Sequence, residues 1–333
     1  MEKKIRILLT ICGLAIIFMV TFHLVSILDP RGQVHINSLE PNRTFLDSPR
    51  MPVSHSFAFR NSTLTLSTAV NSSVYHGAKD ADKTIYSHAG VPYITAAGTS
   101  ARFMIQDPAQ DELFHDLISQ FRKIRYEYNL TDDEYVELIA AYVQSIEYYT
   151  TEEQLAKYPV ETVFDRKGDC DDKSMLLAGL LSREGYNVSL ILFEKDNHMV
   201  VGIASDDNLY LDCGYAYLDI MDYSFVGVPV NRLRGASKMY QDPVVFPVGS
   251  GTKIYHSGRE TRYISDMAIL ADNRSGNLAL KMKSLSQDTA ENISEYNRVR
   301  EDFFEYSRIY TYIVRHRFDR PGVYEYLQRE MPA

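Results

Sequence analysis

Lys157 to Asp212 reads KYPVETVFDRKGDCDDKSMLLAGLLSREGYNVSLILFEKDNHMVVGIASDDNLYLD. Cys170 sits in Gly168-Asp-Cys-Asp-Asp172, directly before Met175, Leu176, Leu177, Leu180 and Leu181, whose spacing fits the buried face of a helix ending at Gly185. Asp169 is the expected cap, with Asp172 reaching back three residues on. A cysteine in a first helical turn meets unpaired N–H groups and the positive end of the helix dipole, which favours thiolate over thiol. As a plain small hydrophobe, the cysteine would sit better in the middle of an apolar face.

Past Gly185 the pattern takes a period of two: Val188–Phe193, Met199–Ile203 and Leu209–Cys213, separated by Glu194–Asn197 and Ser205–Asn208. This predicts an antiparallel meander. His198 opens the second strand and Asp212 lies near the end of the third. With Ala204 opposite Asn208 the register is even and the two share a face. Asp212 is then expected to hold the imidazole while its other nitrogen meets Cys170, a Cys-His-Asp triad. If they face apart, Asp196 or Asp219 takes that place.

Tyr158-Pro, Glu161-Thr, Gly168–Asp172, Gly185-Tyr-Asn-Val, His198–Gly202 and Leu211-Asp212 together resemble the transglutaminase-like superfamily, particularly its archaeal and bacterial members. The resemblance runs from about Leu138 to Tyr215. It implies a papain-like α+β core, with Cys170 as nucleophile, His198 as general base and acid, and Asp212 as its orienting partner. It also implies a protein, peptide or other amide substrate, met by hydrolysis or acyl transfer. Many members carry an aromatic residue two positions after the histidine and a proline after the aspartate, where this chain has Val200 and Cys213. Substrate-site roles therefore do not carry over. Gln144, in a Val-Gln-Ser-Ile-Glu-Tyr run on the polar side of its helix, is the candidate side-chain donor to an oxyanion.

The chain has 333 residues, 45% hydrophobic and 24% charged, enough for a sizeable core and a second smaller one. A formal charge of −9 gives nucleic acid no electrostatic support as a partner. Residues 7–28 carry no Asp, Glu, Lys or Arg and follow Lys3, Lys4 and Arg6. They are read as an uncleaved membrane anchor, N-terminus cytoplasmic and the catalytic domain outside the cell membrane. Asn-X-Ser/Thr triplets begin at seven of the thirteen asparagines, against about two by chance, which agrees with export. Beyond the anchor only Cys170 and Cys213 remain, and Cys213 is expected to face away from Cys170 rather than pair with it.

The expected organisation is an anchor (1–28), a juxtamembrane linker (29–54), strands and a helix (55–130), the transglutaminase-like core (131–250), and a C-terminal extension (251–333). The strand pair spans Phe57–Val70 with a turn near Arg60; Tyr75–Thr99 reads as loop. Helices are expected over Asp111–Tyr128, from a Thr131–Glu134 capping box through Tyr148, and over Asp288–Phe318, with Arg259–Leu270 pairing or covering a sheet edge. The Asp169, Asp171 and Asp172 cluster lacks calcium-loop spacing, and no HExxH or CxxC occurs, so neither metal nor cofactor is expected. A competing class is a non-catalytic adhesion or scaffold module on the same fold. A thiol oxidoreductase would usually show a resolving cysteine.

Overall fold

A computed structural model describes residues 48–85, 91–150, 155–211, 213–229 and 242–331. The proposed anchor, the linker up to residue 47, and Asp212 lie outside them. Among the described residues no helix is long and apolar enough to cross a membrane.

The described residues open with a hairpin, β1 (Arg50–Phe59) and β2 (Ser62–Asn71), turning at Arg60-Asn61 as its alternation predicts but starting at residue 50, so that 50–54, expected as linker, are strand paired with β2. Two helices follow where the sequence reads as loop: α1 (Ser72–Asp80), capped by Asn71, and α2 (Tyr93–Gln106). Small residues hide α2 from a periodicity search. Ala96, Gly98 and Ser100 are buried because they let the helix approach the core closely, and a Cβ at Gly98 would stand 2.5 Å from the Phe246 ring.

Next come α3 (Asp111–Glu127) and α4 (Asp132–Gln144), the latter opened by the Thr131/Glu134 capping box. The helix ends at Gln144 rather than Tyr148. Glu147–Tyr148, β3, instead pairs in parallel with β4, Lys167–Gly168, which follows α5 (Pro159–Asp165). α6 (Cys170–Arg183) has the predicted capping box at Asp169 and Asp172, and Met175, Leu176, Leu177, Leu180 and Leu181 are all fully buried.

α6 lies on an antiparallel sheet in the order β7-β6-β5-β8, from β5 (Val188–Phe193), β6 (His198–Ala204), β7 (Tyr215–Leu218) and β8 (Val244–Val248). The fold is therefore α+β, with the cysteine-bearing helix packed on an antiparallel sheet. Strand alternation divides the two faces. Leu190, Leu192, Met199 and Val201 join α6 in the main core, whereas Ile191, Phe193, Val200 and Tyr217 form a smaller cluster behind the sheet.

The third strand corrects the expected register. Ala204 stands opposite Tyr215, not Asn208, and neither Leu209–Leu211 nor Cys213 is in a strand. The Tyr210 N–H donates to Tyr215 O and the Cys213 N–H to Tyr210 O, with Leu211 at φ 42°, so these residues make the turn that launches β7. Their aromatic alternation imitates a strand because Tyr210 caps the small cluster as a strand residue would.

The C-terminal extension is helical throughout its described core. α7 (Gly258–Ser284) replaces the expected edge element, α8 (Ala290–Arg315) matches the predicted amphipathic helix, and α9 (Arg320–Glu330) ends the unit. Ile264, Ala268, Ile309, Ile313 and Leu327 form a second core of their own.

Candidate active site

Asp169 caps α6 by accepting from the Asp171 and Asp172 N–H groups, while the Asp172 carboxylate accepts from the Asp169 and Lys157 N–H groups. These bonds fix the first turn and so the direction in which the Cys170 side chain leaves it. The buried sulfur lies 3.3 Å from Asp171 Oδ1, to which the thiol donates.

On its other side the sulfur receives the Met199 N–H, and the Met199 carbonyl accepts from the Ser174 hydroxyl at 3.1 Å. A strand's N–H and C=O point sideways within the sheet, not toward its faces. The start of α6 therefore docks along the flank of β6, where pairing with β7 stops at Val201–Leu218. Cys170 thus stands beside the strand one residue from His198.

The His198 imidazole is on the strand face away from the α6 core. Its Nε2 is 3.3 Å from the Tyr217 hydroxyl and its ring stacks on Phe193. Burial pulls its pKa down to about 4 against the opposing Asp196 carboxylate, so the ring is neutral at pH 7. Asp212 lies outside the described residues. Tyr210 and Cys213 pack in the cluster on the face that His198 shares.

The thiolate expected from the helix dipole is not favoured in this setting. Burial first, and then the Asp171 carboxylate, push the Cys170 thiol well above the ordinary range, and the Met199 N–H only partly opposes them. Asp171 itself is pushed up to about 6 by burial and by Asp169. At pH 7 the resting thiol donates to the Asp171 carboxylate, and the His198 imidazole is neutral.

Gln144 also departs from its expected role. It is buried, and its amide donates to Asp219 O at 2.8 Å and Ser224 O at 3.2 Å, spending both hydrogens on the backbone after β7. Its own main-chain carbonyl accepts from Lys173. It is a strut and not an oxyanion donor. Tyr148 is the phenol that reaches the sulfur: burial foremost, together with the neighbouring Cys170, pushes its hydroxyl up to about 12.

Comparison with family models, with curated proteins and with solved structures gave no match. What the site can do must be read from its own chemistry.

Cys170 belongs to the main core and Cys213 packs against the cluster behind the sheet, as expected from their separate faces. Among the described residues, no three His, Cys, Asp or Glu side chains gather as a metal centre requires. Asp219, the reserve partner for the imidazole, is buried just past β7, where its carboxylate acts on Lys173 and accepts from the Met221 N–H at 2.9 Å. A cavity of about 380 Å³ is bordered by Asp171, Met175, His198 and Met199, next to Cys170, and walled by α2. Sequence reasoning missed both Tyr148 and this wall. The first was read as the tail of a helix and the second as loop.

Proposed function

We propose that the chain is a membrane-anchored thiol enzyme with a transglutaminase-like, papain-like core, acting outside the cytoplasm on an amide. The observation that carries the reading is the Cys170 sulfur held at the Met199 N–H, one residue from a buried neutral imidazole, with Asp171, Met199 and His198 around it all bordering one cavity.

A neutral imidazole has a free lone pair, so His198 takes the Cys170 proton as the sulfur attacks the substrate carbonyl. The Cys170 N–H, which the Asp169 cap does not use, and the Tyr148 hydroxyl are the donors to the oxyanion. His198 then protonates the leaving amine, and the acyl-enzyme passes to water or to an amine acceptor. Asp212 is the proposed partner of the imidazole, as the resemblance implies. Residues 7–28 are the proposed anchor, and the exposed sequon asparagines Asn61, Asn129 and Asn273 agree with an exported domain.

The raised thiol favours one rival, a non-catalytic adhesion or scaffold module that has kept the fold. The two readings part on labelling by a peptidyl chloromethyl ketone at pH 7. The enzyme should be labelled at Cys170, and His198→Ala should slow labelling at least tenfold and abolish amide turnover. A folded His198→Ala protein labelled as fast as wild type would leave the scaffold reading standing. Protease treatment of intact cells should digest the domain after residue 28.

A further inference from the structure

The cavity beside Cys170 has a chemistry of its own. Its long wall is one face of α2, where Tyr93, Ala97, Ala101 and Met104 recur at helical spacing and all border the space. Met175 and Leu192 close it from the core side. The wall therefore comes from a segment before the core that holds the cysteine and histidine.

Charge narrows what fits. Lys83 reaches the cavity, but its ammonium is already paired with buried Glu161 at 2.7 Å. Among the described residues, the other charged side chains on the lining are acids, Asp171 and Glu194. Apolar walls edged by carboxylates repel an acidic occupant and accept a neutral apolar one. The open volume of about 380 Å³ falls in the size range of small-molecule sites, roughly 300–1,000 Å³.

We propose that this cavity is the specificity subsite of the thiol enzyme, seating an uncharged apolar side chain of leucine or phenylalanine size carried next to the amide that Cys170 attacks. The inference rests on the thiol-enzyme reading. Asp171 joins the two places: it accepts the Cys170 hydrogen bond and also borders the cavity, so an occupant lies about one side-chain length from the sulfur.

The chain has no tryptophan, so one placed at the rim reports on occupancy without background. Tyr93 is 58% exposed and borders the space, and Tyr93→Trp in the full-length protein supplies the reporter. N-acetyl-leucine methylamide should shift its fluorescence saturably, and N-acetyl-glutamate methylamide should bind at least tenfold more weakly. Ala97 is half-buried at the wall, so Ala97→Phe extends into open space and should weaken the leucine probe at least tenfold. Glu194 is exposed, and Glu194→Lys should narrow the gap between the probes, which decides the matter should Ala97→Phe misfold. Equal binding of the two probes, or leucine binding that survives Ala97→Phe in folded protein, overturns the subsite. Turnover of leucine- and glutamate-bearing coumarin amides by the wild-type chain is read in parallel. Selective binding with no turnover keeps the subsite and removes the enzyme, whereas turnover without side-chain preference does the reverse.

Discussion

Cys170 shows how one neighbour reverses an expectation drawn from helix position alone. A helix start offers a partial positive charge, but a buried sulfur loses its hydration, and the Asp171 carboxylate adds a full negative charge at 3.3 Å. Alkylation of wild-type Cys170 by iodoacetamide, followed site by site with mass spectrometry, should therefore set in above the ~8.5 of an ordinary thiol. Asp171→Asn should move the profile to lower pH. His198→Ala should hardly move it, because a ring that titrates near 4 carries no charge there to lose. An Asp171→Asn profile identical to wild type would contradict this electrostatic account. The same carboxyl ties stability to pH. Its folded value of about 6 lies above the ~3.9 of an unfolded aspartate, so the folded chain holds the proton longer, and stability falls as pH rises between those values. Asp171→Asn should flatten that part of a melting-temperature profile. The nucleophile and its cap were legible in sequence because both follow from local chain geometry. The effect of Asp171 was not, since it depends on how deeply the first turn is buried.

At the scale of elements, α6 was legible because five large apolar residues at helical spacing follow a capping box. Gly179 in its middle carries information of another kind. Alanine in a helix interior ordinarily gains about 1 kcal/mol over glycine. Here a Cβ would stand 2.3 Å from the ring of Phe114, which is fully buried and covered by the Arg183 guanidinium 3.9 Å from its centroid. The ring cannot swing aside, and Gly179→Ala should destabilise by about 1–3 kcal/mol in denaturant unfolding. Phe114→Leu beneath it should relieve part of the clash, so the pair of changes costs less than their sum. A Gly179→Ala protein more stable than wild type would show that the contact has room to relax. Elements whose contacts are made by small side chains were the ones misread. α2 buries alanines, a glycine and a serine, which leave no periodic apolar signal. The turn at Tyr210 erred in the other direction, because Tyr210 packs behind the sheet while its backbone bends away from it. Register is set by such turns, and their geometry rests on single positive-φ residues like Leu211 that the sequence gives no reason to expect.

Across the whole molecule, the main core and the C-terminal helices meet through apolar packing of Phe225 and Val228 against Ile264, Ile309 and Leu327 and through ionic and polar contacts. Arg320, at the start of α9, reaches Glu137 of α4 and Glu260 of α7 at once, and the Tyr255 hydroxyl donates to the same Glu137 at 2.7 Å. Arg317 pairs with Asp222 at 3.0 Å, and Ser257 donates to Asp133 at 2.6 Å. Glu137 is the keystone. Burial pushes its carboxyl up, and the Arg320 guanidinium is the largest influence opposing that. Removing one member of a buried pair costs more than the pair contributes, because the other charge stays behind without its partner. Arg320→Met should therefore destabilise by about 3–5 kcal/mol, and Glu137→Gln added to it should recover a substantial share by removing the stranded charge. The pH dependence has a definite sign. A carboxyl raised in the folded state binds its proton more tightly there, so stability falls as pH climbs above the ~4.3 of an unfolded glutamate. Without Arg320 the rise in Glu137 is larger, and Arg320→Met should lose more stability between pH 5 and pH 8 than wild type does. The double variant should lack that extra slope. Urea unfolding at the two pH values measures all three, and an Arg320→Met protein with an unchanged slope would mean that Glu137 finds another cation or water once the guanidinium is gone.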